Sequence, residues 1–393
     1  MLTTHHIAIV KSTIPLLEAG GSDITEHFYQ RLFLHNPELK NIFNMSNQAS
    51  GRQKTALFEA ILAYAKNIDN ISVLKHAVER IAQKHTSFHI QPAHYQVVGF
   101  HLIETLRELL PQQFTKEVEK AWTVAYGVLA EVFINREEQL YTERENSQGG
   151  WRGKRAFCLV DKIVESEFVT SFVFEPIDQQ PIIDYQVGQY IGIELTPHQS
   201  EHVEIRQYSL SDKPNNKSYR ISVKRELGTH NGLMSNHLHD HLNVGDLVDL
   251  HAPAGDFFFI NREAPVVLVS AGVGITPMQA MLEKLASEAY DNQIHYIHAC
   301  ENELQHSFKQ RTQELCDLRG WQHNTWYRET QSNNKNTHQG FINFNDIDLP
   351  VCDGNYYLCG PVGFMQFAKT DLMKLGVDEA RIHYEVFGPH ATL

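Results

Sequence analysis

A polar stretch, Thr142-Glu143-Arg144-Glu145-Asn146-Ser147-Gln148-Gly149-Gly150, separates two parts of the chain that follow different periodicities. Before it, apolar residues recur at helical spacing, as in Leu74, Val78 and Ile81, and again between Ala121 and Leu140 through Trp122, Val124, Ala125, Val128, Leu129, Val132 and Phe133. After it, the runs are short and of β type: Tyr219-Arg220-Ile221-Ser222-Val223-Lys224 alternates strictly, and Gln189-Tyr190-Ile191-Gly192-Ile193-Glu194-Leu195 is rich in β-branched and aromatic residues. A 3.6-residue stripe and a two-residue alternation do not fill the same core, so the chain is multidomain. At about 150 residues per domain, 393 residues agree with two or three. The pattern predicts an all-α domain over 1–146, a linker over 147–153, and a small antiparallel β-barrel or sandwich over 154–262. Over 263–393 the buried run Pro265 to Val269 meets a glycine turn and then a helix with Met278, Met281, Leu282 and Leu285 on one face. That unit predicts an α/β domain with a parallel sheet.

Charge narrows the partners. Against 34 Lys+Arg stand 47 Asp+Glu, a formal net charge of −13, which repels nucleic acid and anionic lipid. No apolar run approaches the roughly 18 residues of a membrane span, and the start Met1-Leu2-Thr3-Thr4-His5-His6 does not read as a signal peptide. A cytoplasmic protein is expected, and a monomer, because no self-complementary patch is evident. Cys158, Cys300, Cys316, Cys352 and Cys359 are odd in number and lack CxxC spacing, which predicts reduced thiols rather than disulfides or a zinc site.

Ser270-Ala271-Gly272-Val273-Gly274-Ile275-Thr276-Pro277 stands where a buried strand passes into a helix. Gly272 and Gly274 let backbone amides approach a pyrophosphate, and the helix dipole points its positive end at the same anion. Thr276 is expected as the N-cap, with Pro277 at the first helical position. Pro277 replaces the third glycine of G-x-G-x-x-G, so by itself the motif also fits an ordinary tight turn. A second strand-turn-helix, Tyr357-Leu358-Cys359-Gly360-Pro361-Val362-Gly363-Phe364-Met365, supplies a companion turn that could flank the same dinucleotide.

Upstream, Arg206-Gln207-Tyr208-Ser209 offers a planar guanidinium fork, a flat ring and a hydroxyl, although four such residues alone also suit an amphipathic strand. Gly232-Leu233-Met234-Ser235-Asn236 reads as a second phosphate-cradling turn. In this order and spacing the four motifs resemble the ferredoxin-NADP reductase family over about residues 151–393. The resemblance implies an FAD-binding antiparallel barrel joined to an NAD(P)-binding α/β domain. It places Arg206 on the FAD pyrophosphate with Gln207 beside it, Tyr208 and Tyr190 against the flavin, Ser209 near N5, and Gly232 and Ser235 at the phosphate turn. Ser270, Ala271, Gly272, Val273, Gly274, Ile275 and Thr276 would meet the nicotinamide dinucleotide together with Cys359, Gly360 and Pro361. Glu385-Val386-Phe387-Gly388-Pro389 would close over the ring, with Phe387 guarding the nicotinamide face. Glu301, after the second α/β strand, suits a ribose hydroxyl and leans toward NADH over NADPH.

In the helical part, one further turn of the Leu74, Val78, Ile81 stripe lands on His85. A lone histidine there is more often a hydrogen-bonded core residue. Tyr95 and Glu137 offer partners for an imidazole N–H, and Tyr29, Gln53 and Leu57 sit on apolar helical faces where burying the polar groups is costly without a ligand. A haem b explains the set, with His85 as axial ligand to one iron and Tyr29, Gln53 and Leu57 on the opposite side. The stretches Pro37 to Ser46, Ile81 to Phe88, Phe133-Ile134-Asn135-Arg136-Glu137 and His383 to His390 strongly resemble bacterial flavohaemoglobins.

That family resemblance implies a nitric oxide dioxygenase in which NAD(P)H reduces FAD, FAD reduces haem, and O2 oxidises NO to nitrate. Phe43 would pack on the haem plane and Lys84 would lie at the cofactor. Tyr29 and Gln53 would bond the oxygen, and Glu137 with Tyr95 would make His85 imidazolate-like. An O2 or NO carrier or sensor with an internal reductase, or a flavin reductase whose helices bind a partner, are the other readings. The remaining histidines, His237, His239 and His241 among them, are expected on the surface.

Overall fold

The computed structural model describes residues 2–43, 52–198, 200–228, 231–331 and 334–388, the side chains of 52–55 excepted. The chain forms two compact units. One comprises Met1–Ser147, Trp151–Lys154 and Glu194–Arg206; the other comprises Gln148–Gly150, Arg155–Ile193 and Gln207–Leu393.

The first unit is built from helices α1 (Thr4–Ser12), α2 (Ile14–His35), α3 (Arg52–Lys66), α4 (Lys75–Thr86), α5 (Pro92–Leu109) and α6 (Lys116–Glu145). Helix α6 runs beyond the predicted Ala121–Leu140 segment at both ends, because Thr115 caps it by accepting from the Val118 amide and Glu117 and Glu119 favour the positive end of its dipole. Its apolar face packs Trp122 and Ala125 against Phe28, Leu32, Tyr64, Leu102 and Leu106. Polar atoms carried into this core are paired: Trp122 Nε1 donates to Thr13 Oγ1 at 3.1 Å and Tyr64 OH to the Ala125 carbonyl at 2.7 Å.

A six-stranded antiparallel sheet follows, from β1 (Lys154–Val164), β2 (Val169–Pro176), β3 (Tyr190–Leu195), β4 (Glu204–Ser209), β5 (Tyr219–Lys224) and β6 (Leu247–His251), in the order β4-β3-β6-β1-β2-β5. Just past β4, a bridge between Leu210 and Ile221 and the Ser211 amide on the Arg220 carbonyl tie the far edge to β5. Closure protects edges that would otherwise seek partners. Phe157, Leu159, Phe172, Phe174, Ile191, Ile193, Ile221 and Val223 are buried. Helix α7 (Leu233–Asp240) lies between β5 and β6 in sequence.

The last sheet is wholly parallel and contains β7 (Val266–Ala271), β8 (Ile294–Cys300), β9 (Gln322–Tyr327), β10 (Thr337–Gln339), β11 (Asn355–Cys359) and β12 (Ile382–Glu385). Its order is β10-β9-β8-β7-β11-β12, so the direction of winding reverses between β7 and β11. Crevices at the carboxyl ends of such a switch point take ligands. Helices α8 (Ile275–Ser287), α9 (Lys309–Arg319) and α10 (Val362–Lys374) accompany the strands, and Met365, Ala368 and Leu372 pack on Val267, Val269, Tyr356 and Leu358.

Two expectations are corrected. Thr276 is not the N-cap of α8: the chain turns through a 3₁₀ segment, Gly272–Gly274, Gly274 is the cap, and the Thr276 hydroxyl donates to the Val273 carbonyl at 3.1 Å. Pro277 is tolerated in the first turn because an amide there has no intrahelical acceptor. The histidines are also not confined to the surface, since His101, His251, His295, His298 and His306 are buried. Burial favours the neutral ring, which can be held by a single hydrogen bond: His298 Nδ1 meets Ser270 Oγ at 2.9 Å, and its pKa is pushed down to about 3.

Candidate functional site

His85 lies in the last turn of helix α4. Its Nδ1 lies 2.7 Å from Glu137 Oε1 and 2.9 Å from Tyr95 OH, and Tyr95 OH donates to the same carboxylate oxygen. Glu137 is only 2 % exposed, so these donors replace its water. Burial, then the adjacent Glu137 charge, raises the Tyr95 pKa and keeps its proton in place. In the neutral ring Nδ1 carries the proton, which leaves the Nε2 lone pair without a partner among the described residues. A metal-ligating histidine has this arrangement, with its other nitrogen fixed by an acceptor. The residues therefore fit an iron porphyrin bound through Nε2.

Packing sets this triad. Ala82, Phe133 and Leu140 form a buried seam with Val78, Ile81, Tyr95 and Leu129 packed against it. Arg144 Nη1 and Nη2 donate to Thr86 Oγ1 and Gln83 Oε1, both at 2.5 Å, while Arg136 grips Glu79 through two bonds. These clamps hold α4 against α6, which aligns His85 with Glu137 across 52 residues of sequence. Lys84 is half-buried beside them.

Tyr29 is buried among Phe28, Phe33 and Phe43, with ring centroids 5.0, 5.8 and 5.9 Å away. Leu57 packs on the same core. The Gln53 side chain lies outside the described residues.

On β4, Ser209 is buried, while Arg206, Gln207 and Tyr208 are half-buried. The Arg206 guanidinium is paired with Glu204 at 2.5 Å and donates to the Ile205 carbonyl at 2.9 Å. These two partners orient its fork. Tyr190 opens β3 and exchanges backbone bonds with Ala254. Gly232 caps α7 without any side-chain bond, and Ser235 Oγ, rather than pointing away from the turn, donates to the Gly232 carbonyl and accepts from the Glu226 amide, both at 3.2 Å. Ser235 therefore shapes this turn.

Sequence reasoning missed Lys162. Its ammonium donates to the carbonyls of Leu238, His239 and Leu242 at 3.3, 2.7 and 2.9 Å, closing the carboxyl end of α7, and lies over the Phe172 ring. Burial lowers its pKa. A single lysine in a strand, more than 70 residues from the helix it caps, leaves no local signal.

The two strand-end turns meet. In register, Ser270 pairs with Cys359, and a Cβ on Gly274 would stand 2.3 Å from the Cys359 oxygen and 2.6 Å from the Gly360 nitrogen. The sites read separately from Gly272-x-Gly274 and Cys359-Gly360-Pro361 are therefore one crevice. Ala271 and Val273 flank it, and Ile275 is buried beneath it. After β12, Val386 is buried in the α/β core and Phe387 is 42 % exposed. Glu385 ends β12; Gly388 is the last described residue, and Pro389 lies outside the described set. No group of three or more His, Cys, Asp and Glu suited to a metal occurs among the described residues, no described helix is long and apolar enough to cross a membrane, and the five cysteines are free thiols.

Comparison with known proteins accounts for all three parts. Residues 26–133 match the globin family, 156–259 the oxidoreductase FAD-binding domain and 268–370 the oxidoreductase NAD-binding domain. A flavohemoprotein of Vibrio cholerae is 58 % identical over 395 residues, covering 100 % of both chains. The FAD/NAD-binding domain of the nitric oxide dioxygenase of the same organism is 51 % identical over 61 % of this chain and 100 % of its own, with a TM-score of 0.58. A flavohaemoglobin of Malassezia yamatoensis, solved with FAD and haem, is 28 % identical with a TM-score of 0.88 and covers 98 % of this chain and 100 % of its own. A half-buried imidazole held at Nδ1 by a buried carboxylate and a double-turn crevice at a parallel-sheet switch point thus share one polypeptide with full-length likeness to such proteins, and the chain belongs to the flavohaemoglobin family.

Proposed function

We propose that the chain is an NAD(P)H-dependent nitric oxide dioxygenase that converts NO and O2 to nitrate. One NO, one O2 and one electron balance one nitrate ion, so each hydride serves two turnovers. Haem and FAD, when bound, supply this redox chemistry, the flavin accepting a hydride and releasing electrons singly to iron. Residues 1–146 would carry the haem, 154–262 the flavin and 263–393 the nicotinamide, with 147–153 as the joint. The substrates are small molecules, and the protein acts as a cytoplasmic monomer.

The observation that carries the reading is the His85-Glu137-Tyr95 triad, because simple oxygen storage does not need a buried carboxylate behind the ligand. Glu137 draws on the Nδ1 proton and makes Nε2 a stronger donor. Tyr29 and Gln53 would donate hydrogen bonds to dioxygen, Leu57 and Phe43 would exclude water, and Lys84 would flank the proximal side. Arg206 and the first-turn amides of α7 after Gly232 would hold the FAD pyrophosphate, and Tyr190, Gln207, Tyr208 and Ser209 would hold its ring. The Ser270–Thr276 turn with Cys359, Gly360 and Pro361 would hold the dinucleotide, and Glu385, Val386, Phe387, Gly388 and Pro389 would cover the flavin.

Purified protein given NADH without air should show the reduced haem spectrum. With O2 and NO it should form two nitrates per NADH. Binding of NO without nitrate formation would make the protein a carrier or sensor instead. Glu137→Gln should retain haem, raise its midpoint potential and slow NO turnover about tenfold, within the range for partners behind a ligand. An unchanged potential in a spectroelectrochemical titration would reject the role given to Glu137. Lys162→Met should weaken FAD affinity about tenfold by loosening α7, as expected for losing hydrogen bonds from a charged group. Flavin fluorescence on dilution measures this, and wild-type affinity would remove Lys162 from the account.

A further inference from the structure

Helix α2 hands over to a 3₁₀ turn, Pro37–Asn41, that runs on to Phe43. The turn is fixed to the helical core: Leu39 is buried there, and its carbonyl accepts from the amides of Ile42 and Phe43, both at 3.0 Å. The last residue of the turn, Asn41, reaches a segment 162 residues later, where its Oδ1 accepts from the Val203 amide at 3.1 Å. Val203 stands just before β4, the edge strand of the antiparallel sheet. An amide at the leading end of an edge strand has no ladder partner on its outer side, and the carboxamide oxygen supplies one.

The segment that presents this amide is folded on itself. Ser200 Oγ donates to the His202 carbonyl at 2.8 Å and accepts from the His202 amide at 3.1 Å, and the Ser200 amide donates to the Pro197 carbonyl at 2.9 Å. At its base Lys154 Nζ meets Glu194 Oε1 at 2.9 Å. By its contacts Glu194–Arg206 groups with the helices, although β3 and β4 belong to the antiparallel sheet. The Asn41 bond therefore joins a turn that ends two residues before Phe43 to a strand that carries Arg206 three residues after Val203.

We infer that Asn41 is a positioning residue for electron transfer, latching the leading end of the flavin-binding strand β4 to the turn that carries Phe43. The inference rests on the haem and flavin readings of Phe43 and Arg206. Electrons leave the flavin one at a time, two per hydride, and each reduces one ferric iron to ferrous; no bond or proton passes through Asn41. The rate of such a transfer falls steeply with separation, so a bond that fixes the strand against the turn acts on this step. Hydride uptake by the flavin does not cross the latch.

Two measurements on the full-length holoenzyme test this. In anaerobic stopped flow with NADH and CO, Asn41→Ala should slow haem reduction about tenfold, within the loss that a misplacement of about 1 Å brings. Ferricyanide reduction, haem content and FAD content should match wild type. Independently of any turnover, amide hydrogen exchange at Val203 should accelerate up to about tenfold in Asn41→Ala, as the loss of one hydrogen bond permits. Asn41→Asp, which keeps an accepting oxygen, should restore both. Unchanged haem reduction, an equal loss of ferricyanide reduction, unaltered exchange at Val203, or an Asn41→Asp variant as slow as Asn41→Ala would overturn the inference. A wild-type protein whose flavin is reduced by NADH but whose haem never is would instead overturn the functional reading on which it rests.

Discussion

Phenylalanine in place of Tyr29 should lower NO turnover about 100-fold, the scale of losing one fixed donor to developing negative charge in a dry site. The substitution isolates the hydroxyl. The Tyr29 ring is edge-on to Phe28 and Phe43 and stacked on Phe33, and phenylalanine preserves each of those contacts. Thermal stability and ferricyanide reduction should therefore stay near wild type while O2 dissociation accelerates. Stopped-flow O2 dissociation and an NO electrode measure the two effects, and a variant that matches wild type in both would remove Tyr29 from the oxygen side of the haem.

Alanine at position 274 should raise the KM for NADH between about 10- and 100-fold, because an extra methylene in a close-packed site costs roughly 1–3 kcal/mol. The obstacle is rigid. A Cβ there would meet the carbonyl carbon and oxygen of Cys359 at 2.4 and 2.3 Å, and these belong to β11, which is hydrogen-bonded to β7 along its whole length. The two turns must separate, and the amides at their tips lose their common aim. Gly272→Ala provides the contrast, since a Cβ on Gly272 meets nothing within 4 Å among the described residues and only its φ of 53° opposes the change. Its effect should be smaller, near the cost of one residue held in the left-handed region. A Gly274→Ala enzyme with wild-type KM, full FAD content and normal ferricyanide reduction would show that the close contact of the turns does not shape the nucleotide site.

Much of the architecture was legible because local patterns carry it. Helical spacing up to Glu145 and alternation from Lys154 onward reflect which faces must leave water, and each is complete within a few residues. The glycines of the β7 turn and the isolated His85 were legible for a related reason: both break a local rule, and rule-breaking residues mark sites. The N-cap of α8 was misplaced because Thr276 has the right chemistry two residues too late. The tight 3₁₀ entry at Gly272–Gly274 is set by contact with β11, which no window of sequence around Thr276 contains. The buried histidines were misread for the same reason: the Ser270 hydroxyl that meets the His298 ring comes from a neighbouring strand.

From residue order alone came the helical, antiparallel and parallel parts, the out-of-place His85 on its apolar stripe and the two strand-end turns. These are properties of short segments, fixed by the period at which apolar side chains recur and by the backbone freedom of a few glycines. The three-dimensional fold decided that the two turns are one crevice, that Lys162 closes the carboxyl end of α7, and that Glu137 and Tyr95 meet behind His85. Those facts depend on atoms from distant segments approaching within 2 to 3 Å, and only the packing of whole helices and strands against one another determines which segments come that close.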